Sequence, residues 1–316
     1  MPSKPPSQTV LNWLLDSDPS IRWQVMQNLA NAPAAAVAAE RARVATEGWG
    51  AQLLSLQQTD GDWGGGAWVH RSWASTFETL SLLREMGLDP ASEPARNAIA
   101  LVRQHSNWGP YHNHAPFFEG ESEPCINGRV LAIGAYFGQA SHKLAERLLS
   151  EQLPDGGWNC DAPESTRSSF NTTLCVLEGL WEYERDTGSY DTAAARQRGE
   201  EFLLARGLYK SLRTGQPIEM DRKSDKDWRQ LSFPTHWYYD ILWALDYLRK
   251  TGAAPDPRAA DAVALVAGKQ TADGAWLLEV HHAGTEHFPM ETLGQPSRWL
   301  TLRALRVLRW YSGAQT

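Results

Sequence analysis

Apolar residues recur three and four positions apart in five stretches of this chain, and this spacing is typical of amphipathic helices. Polar residues and glycines separate the stretches, while the strict alternation that predicts β-strands is nearly absent. The sequence therefore predicts an all-α chain. The five stretches are residues 73–83, 126–137, 170–180, 237–245 and 299–308.

A short phrase, Gln-x-x-Asp-Gly-x-Trp, occurs at residues 57–63, 152–158 and 270–276, with a degenerate copy at 104–108. One amphipathic stretch precedes each copy and another follows it, so one repeat unit is a pair of helices. Units that recur at such intervals bury their apolar faces on their neighbours. The long interval before the last copy has room for two units, so we predict about five helix pairs.

The last predicted helix is as aromatic as the internal ones, whereas an open stack of repeats needs a polar cap at each end. We therefore expect a closed ring of inner and outer helices. Residues 45–316 form this repeat domain, and residues 1–44 form a short N-terminal extension with a helical pair at 10–29. The polar segment 207–234 is interpreted as a long loop at one rim, either a lid or a solvated excursion.

Charge and composition narrow the function classes. The chain has 30 Lys+Arg against 37 Asp+Glu, and no long basic run, which argues against a nucleic-acid partner. It has neither an apolar run of about 20 residues, as a membrane span needs, nor the apolar core of a signal peptide. Its three cysteines lack the spacing of a disulfide framework. We expect a cytoplasmic protein. Peripheral membrane contact through an apolar surface stays open, and the sequence does not indicate an oligomeric state.

The repeated phrase is similar to the QW motif of squalene and oxidosqualene cyclases, in which Gln and Gly-x-Trp recur between helix pairs. The ring that it implies resembles the α/α toroid shared with the β subunits of protein prenyltransferases. A chain of 316 residues could hold one toroid, whereas triterpene cyclases carry two. The chain thus most resembles the single-toroid, squalene-cyclase-like bacterial proteins. This resemblance implies a hydrophobic, isoprenoid small molecule as substrate.

The chain departs from both families at their catalytic motifs. The Asp-x-Asp-Asp motif with which class II terpene cyclases protonate an alkene is absent, and Asp60-Gly-Asp62 belongs to the repeat phrase. Prenyltransferases bind zinc through Asp, Cys and His. The first two would fall near Asn127 and Arg129, and the stretch 170–180 that resembles their His-bearing helix has no His. Neither mechanism transfers intact, because a fold alone does not determine a function.

If the ring closes, the first turns of the five helices meet around one mouth. Glu78 and Asp240 are carboxylates in aromatic surroundings there, and burial would keep such a group protonated, as a general acid must be. Asp240 is the preferred acid, because the aromatic residues beside it could stabilise a cation. Alternatively, Asp240 only neutralises a cation such as Arg298. The predicted substrate-binding residues are Trp73, Phe77, Asn127, Arg129, Phe170, Asn171, His236, Trp237, Tyr238, Tyr239, Arg298 and Trp299.

A second candidate constellation consists of Cys125, Cys160 and Asp161, at the start of one predicted helix and just after a repeat phrase. Together with a nearby histidine, they could form a Zn²⁺ site with mixed sulfur, nitrogen and oxygen ligands. The alternative is a pair of buried cysteines that bind nothing.

Three functions follow from these observations. The first is a terpene-cyclase-like enzyme that cyclises or isomerises an isoprenoid by acid initiation without the Asp-x-Asp-Asp motif. The second is a zinc-dependent, prenyltransferase-like or hydrolytic enzyme that uses Cys125, Cys160 and Asp161. The third is a non-catalytic toroid that binds a lipid, a peptide or a partner protein.

Overall fold

The computed structural model describes residues 6–218 and 227–313. These residues are mainly helical, with one antiparallel pair of short strands, β1 (Trp276–Leu277) and β2 (Pro296–Ser297). The predicted all-α class is thereby confirmed. The α-helices are α1 (Gln8–Leu15), α2 (Pro19–Asn28), α3 (Ala34–Ala42), α4 (Gly48–Ser55), α5 (Thr76–Met86), α6 (Glu93–His105), α7 (Pro124–Tyr136), α8 (His142–Ser150), α9 (Phe170–Thr187), α10 (Ala193–Leu204), α11 (Ile241–Lys250), α12 (Ala260–Gly268) and α13 (Arg298–Tyr311).

Contacts between Cα atoms divide the chain into two compact units. Within the described residues, the first unit comprises 6–41, 203–218, 227–282 and 289–313, and the second comprises 42–202 and 283–288. Helices α5 to α9 lie in the second unit, and α11 to α13 in the first. The domain boundary expected after residue 44 stays a prediction.

Two of the predicted inner helices begin where their sequence signals place them. The side chain of Ser169 accepts a hydrogen bond from the backbone N–H of Thr172 and caps α9. Ser297 caps α13 in the same way, through the N–H of Leu300. In both cases a serine hydroxyl satisfies a backbone donor that the first helical turn leaves without a partner.

Two more of the five predicted inner helices begin later than the apolar pattern predicts. Helix α5 starts at Thr76, three residues after the predicted start, and α11 starts at Ile241, four residues late. For α11 the reason is Asp240, whose side chain accepts the N–H of Trp243 and so acts as the N-cap. Residues 236–239 therefore precede the helix, and His236 has a left-handed φ of 50°.

The repeat phrase forms the same joint in each full copy. The tryptophan side chains of the three copies, Trp63, Trp158 and Trp276, have no exposed surface. Each indole N–H donates to a backbone carbonyl near the end of the preceding helix, so a buried polar group keeps a partner. The acceptors are the carbonyl groups of Leu53 (2.8 Å), Leu148 (2.7 Å) and Val266 (2.7 Å).

A threonine near the start of the following helix completes this joint. The backbone N–H of the tryptophan donates to the hydroxyl of Thr76, Thr173 or Thr301, at 3.0 Å in all three copies. The glutamine of the phrase binds its own turn. The Gln57 amide donates to the carbonyl of Gly61 and also to that of Ala98 on α6. Each phrase thus fixes the ends of two helices with respect to one turn.

Helices α7 and α9 pack backbone against backbone. A Cβ atom on Gly128 would lie 2.6 Å from the Cα of Val176, and one on Gly179 would lie 2.2 Å from the carbonyl oxygen of Gly128. No side chain fits at either position without moving the helices apart. The two glycines therefore set the close approach of α7 and α9 and the relative position of their first turns.

The helical pair predicted at 10–29 is confirmed as α1 and α2. These helices belong to the first unit, where α13 binds both of them. The guanidinium of Arg306 donates to Gln24 on α2 at 2.7 Å, and Arg309 donates to the carbonyl of Asn28 at 2.8 Å. The Arg309 bond gives a backbone carbonyl in the last turn of α2 a cationic partner, as the helix dipole favours.

The polar segment 207–234 begins with a turn in which Lys210 pairs with Pro217. Residues 219–226 lie outside the described residues, so the proposed lid stays a prediction. Among the described helices, none combines the length and the apolar character that crossing a membrane requires.

Candidate active site

The predicted site residues lie in both units, and each group is described within its own unit. Those at the starts of α5, α7 and α9 belong to the second unit, whereas residues 236–240 and the start of α13 belong to the first.

Asp240 is a fully enclosed carboxyl group in the first unit, with 2% of its surface exposed. One carboxylate oxygen accepts the N–H of Trp243 at 2.8 Å, and the other accepts the N–H and the hydroxyl of Ser232, both at 3.2 Å. Burial raises the pKa of Asp240 to about 6, although these hydrogen bonds and the charge of Arg303 oppose the shift. The carboxyl therefore exchanges its proton close to neutral pH.

A narrow cleft reaches Ser232 from the surface of the same unit. It has room for about 30 Å³, which is enough for one or two water molecules. Ser232 belongs both to the lining of the cleft and to the hydrogen-bond partners of Asp240, so this residue lies between the carboxyl and the cleft. The lining residues are Asp227, Trp228, Gln230, Ser232, Tyr238, Tyr239, Val280 and His282.

Three rings stack beside this cleft. Tyr238 lies between Trp237, with ring centroids 4.1 Å apart, and His282, with centroids 4.0 Å apart. Both neighbouring rings are nearly parallel to the Tyr238 ring, so both faces of that ring are covered. Trp237, at the end of the stack and partly exposed, is the ring that could still offer a π face to a cation.

The other predicted residues of the first unit have structural partners. The hydroxyl of buried Tyr239 donates to the carbonyl of Leu208 at 2.7 Å. Arg298 lies over the ring of Trp13 and donates to two backbone carbonyls of the α1 region. Trp299 is 1% exposed and stacks on Phe233 at 4.4 Å. Buried His236 lies 6.1 Å from His282, ring to ring, so it is the member of this group nearest the stack.

Glu78 is buried in the second unit as an ion pair. The guanidinium of Arg129 on α7 donates to both oxygens of the Glu78 carboxylate, at 3.2 Å each, and lies 4.5 Å from the ring centroid of Phe77. Burial would lower the pKa of Arg129, but the charge of Glu78 raises it overall. A carboxylate held by two charge-assisted hydrogen bonds favours its ionised form, which suits a structural role better than proton donation.

A second buried ion network lies in the same unit, and no sequence pattern predicted it. Arg84 on α5 donates to Glu178 at 3.0 Å and to Glu182 at 3.2 Å, both on α9. These side chains are less than one tenth exposed. Arg84 lies on α5, and its two partners lie about one turn apart on α9. The sequence does not indicate that these two helices bring the three side chains together.

The remaining predicted residues of the second unit support its loops and core. Asn127 exchanges two hydrogen bonds with the backbone of Glu121, at 2.8 and 3.1 Å. Phe170 packs edge-on against Phe202, and Trp73 is 2% exposed. Asn171 is partly exposed, and its amide oxygen is buried with no hydrogen-bond partner among the described residues.

The structure brings Cys125 and Cys160 together, with their sulfur atoms 2.7 Å apart. Glu123 joins them: its carboxylate lies 3.5 Å from the sulfur of Cys125, whereas exposed Asp161 is not part of this cluster. Two thiolates that share a tetrahedral zinc ion through 2.3 Å bonds lie roughly 3.8 Å apart. To share such an ion the sulfur atoms would have to move apart by about 1 Å, and the zinc site, with Glu123 in place of Asp161, stays a prediction.

Sequence reasoning missed three groups of the first unit. Ser232 and His282 lie in irregular segments far apart along the chain, and only folding places them at one cleft. Glu291, whose carboxylate accepts the N–H of Trp299 at 3.1 Å, is a further, partly buried acid, and burial raises its pKa. A carboxylate a few residues before an aromatic helix was the one available signal for it.

No protein-family model matches the chain, and no curated protein matches it. Solved structures do. A protein from Actinoplanes is 17% identical, with a TM-score of 0.44 over 95% of this chain and 91% of that chain. The type II terpene cyclase MstE from Scytonema is 16% identical, with a TM-score of 0.46 over 93% and 87%. The ent-copalyl diphosphate synthase from Streptomyces platensis is 16% identical, with a TM-score of 0.42 over 93% and 50%.

Proposed function

We propose that this protein is a terpene-cyclase-like enzyme that cyclises or isomerises a hydrophobic, isoprenoid small molecule by proton transfer from Asp240. The position of this carboxyl supports the proposal: it is buried, held by neutral donors, and hydrogen-bonded to Ser232, which lines the surface cleft. A group with a pKa of about 6 is partly protonated near neutral pH, as a general acid must be.

In this mechanism the Ser232 hydroxyl passes a proton towards the cleft and regains one from Asp240. The carbocation that forms on an alkene is short of electrons, and the aromatic residues that line the cleft, Trp228, Tyr238 and Tyr239, are the groups that would stabilise it. The cleft admits only a small part of a substrate, so the reacting double bond would enter it while the rest of the chain stays outside.

The test is turnover by the Asp240→Asn variant. Asn keeps the shape of the side chain and can still cap α11, but it carries no transferable proton. We expect loss of activity with an unchanged circular dichroism spectrum. A first compound to try is geranylgeranyl dihydroxybenzoate, which is the substrate of the Scytonema cyclase.

Asp227→Asn is the matched control, because Asp227 lines the same cleft. Burial would raise the pKa of Asp227, but hydrogen bonds from Arg229 lower it, so this carboxylate stays ionised and cannot donate a proton. The control should keep its activity. Equal turnover by wild-type protein and Asp240→Asn would reject the proposal, and Glu78→Gln and Glu291→Gln would then be assayed.

The proposal predicts that activity falls as the pH rises through about 6, because Asp240 then loses its proton. A rate that increases over the same range would contradict the role of general acid.

A cytoplasmic location and a peripheral contact with membrane lipid are parts of the same proposal. The three free thiols support the first, and the exposed side chains of Trp68 and Val69 support the second. Binding to lipid vesicles, compared between wild-type protein and Trp68→Ser, tests the contact.

A further inference from the structure

The thiol pair of the second unit takes no part in the proposed reaction. Cys125 lies in the first turn of α7, and Cys160 lies in the turn between Trp158 and α9. Both side chains are partly exposed, and both cysteines are free thiols. Their sulfur atoms are 2.7 Å apart, which leaves no space for an ion or a water molecule between them.

The surroundings hold this pair in place from both sides. The Cys125 thiol donates towards the carboxylate of Glu123 at 3.5 Å, and the Cys160 sulfur lies 3.4 Å from the hydroxyl of Thr172 at the start of α9. The backbone contact of Gly128 with α9 fixes the distance between the two helix starts. The sulfur atoms therefore meet where the first turn of α7 lies beside the loop that leads into α9.

We propose that Cys125 and Cys160 are a dithiol modification site, which a small-molecule disulfide such as oxidised glutathione converts reversibly into an intramolecular disulfide. In the first step one cysteine thiolate attacks the oxidant, forming a mixed disulfide and releasing one glutathione thiolate. In the second step the other cysteine thiolate attacks the protein sulfur and releases the second glutathione. Two protein thiols are oxidised, one glutathione disulfide is reduced, and the two thiol protons leave with solvent.

The third cysteine provides an internal control. Cys175 lies inside α9 and has no exposed surface, so an oxidant in solution does not reach it in the folded protein. The inference is independent of the proposed cyclase activity, because it concerns thiols of the second unit whereas Asp240 belongs to the first.

The new bond would close the chain between residues 125 and 160 and join the start of α7 to the segment that leads into α9. Closing a loop of this length removes conformations from the unfolded chain. We expect the melting temperature of the oxidised protein to exceed that of the reduced protein by about 5 °C.

The experiment treats reduced, full-length protein with oxidised glutathione, and then counts free thiols after denaturation and maps peptides by mass spectrometry. We expect the number of free thiols to fall from three to one, with a Cys125–Cys160 peptide pair and the free thiol at Cys175. Dithiothreitol should restore all three. Cys125→Ser and Cys160→Ser should each retain two cysteines that form no intramolecular disulfide, and their melting temperatures should not respond to oxidant.

Glu123→Gln separates this proposal from a metal site. The variant should still form the disulfide, since the carboxylate takes no part in the sulfur–sulfur bond, whereas a metal site would lose a ligand. Three free thiols after oxidation, or a stable glutathione adduct in place of the peptide pair, would overturn the proposal. So would stoichiometric zinc in purified protein that both serine variants and Glu123→Gln lose.

Discussion

The two ends of α11 carry buried carboxylates with opposite properties. Asp240 caps the first turn, and Asp246 lies near the last; each is 2% exposed or less. Burial raises the pKa of Asp240 to about 6. Burial would also raise the pKa of Asp246, but its cationic neighbours outweigh that effect and hold this pKa well below the usual range.

The difference lies in the donors. Asp240 accepts hydrogen bonds from two backbone N–H groups and a hydroxyl, which are neutral dipoles. Asp246 receives full positive charges from Arg249 at 2.8 Å, Lys250 at 3.4 Å and Arg306 at 3.6 Å. Neutral donors stabilise an ionised carboxylate less than cations do, so desolvation dominates at one end of the helix and ion pairing at the other.

This comparison shows that burial alone does not identify a proton donor. Glu78 resembles Asp246, because Arg129 holds it through two charge-assisted hydrogen bonds. Of these three carboxylates, Asp240 is the one that combines enclosure with neutral donors. The chemistry of the partners therefore distinguishes a candidate acid from an ion-paired carboxylate in the core.

The largest expected effect is on the stability of Asp246→Asn. Removal of this charge leaves Arg306 and Arg249 partly buried without their anion, and disrupting such a network typically costs about 3–5 kcal/mol. Urea unfolding at pH 7 measures the loss. Asp240→Asn is the control from the same helix, because Asn also caps helices well; an equal loss in both variants would contradict the difference between the two ends.

The second prediction concerns the pH dependence of unfolding. Between about pH 4 and pH 6 the folded protein keeps a proton on Asp240 that the unfolded chain has released, so the free energy of unfolding falls as the pH rises. Asp240→Asn lacks this effect. Its free energy of unfolding relative to wild type should increase by about 3 kcal/mol from pH 4 to pH 7.

Asp246→Asn should behave in the opposite sense over the acid range. The pKa of Asp246 is depressed in the folded protein, so this group stabilises the fold above the unfolded pKa, and the contribution is lost as the pH falls. The deficit of this variant should shrink in acid. Parallel pH profiles for the two variants would show that the two ends of α11 do not differ as described.

A smaller effect is expected from Arg303→Gln. Arg303 is 3% exposed, and its charge lowers the pKa of both Asp240 and Asp246. Without it, the pKa of Asp240 should rise above 6 by less than about one unit. Carbon-detected NMR titration of the carboxyl groups measures this shift. A lower pKa of Asp240 in the variant would contradict the electrostatic account.

The smallest effect is expected from Ser232→Ala. This change removes one hydroxyl donor to Asp240 but keeps the backbone donor, and it should cost about 1 kcal/mol at pH 7. Ser75→Ala is the matched control, because the buried Ser75 hydroxyl has no hydrogen-bond partner among the described residues. Unfolding in urea should separate the two variants. Equal losses would contradict the claim that the Ser232 hydroxyl stabilises the Asp240 carboxylate.

The helices and joints could be predicted from the sequence because they are local. Apolar periodicity located all five predicted inner helices, and α9 and α13 begin within one residue of the predicted stretches. The start of α11 was missed because aromatic residues 237–239 continue the apolar pattern, while the Asp240 cap that ends it was interpreted as chemistry alone. An aspartate before an apolar run supports both interpretations.

The partners of the candidate residues could not be predicted, because they come from distant parts of the chain. Arg129 follows Glu78 by 51 residues, about one repeat, and the sequence does not indicate that their helices place them side by side. Arg298 was expected near a substrate, yet α1, at the other end of the sequence, binds it. Cys125 and Cys160 were correctly placed near each other, but their third neighbour is Glu123 and not Asp161, which the sequence did not indicate.

The indole groups of the repeat joints have a spectroscopic consequence. Trp63, Trp158 and Trp276 each bury an N–H that donates to the end of a helix, so each should give a slowly exchanging, well-dispersed NMR signal. Two of these signals report on the second unit and one on the first. The repeats thus contain native probes, and their hydrogen-exchange rates in mild denaturant would reveal whether the two units open together or in sequence.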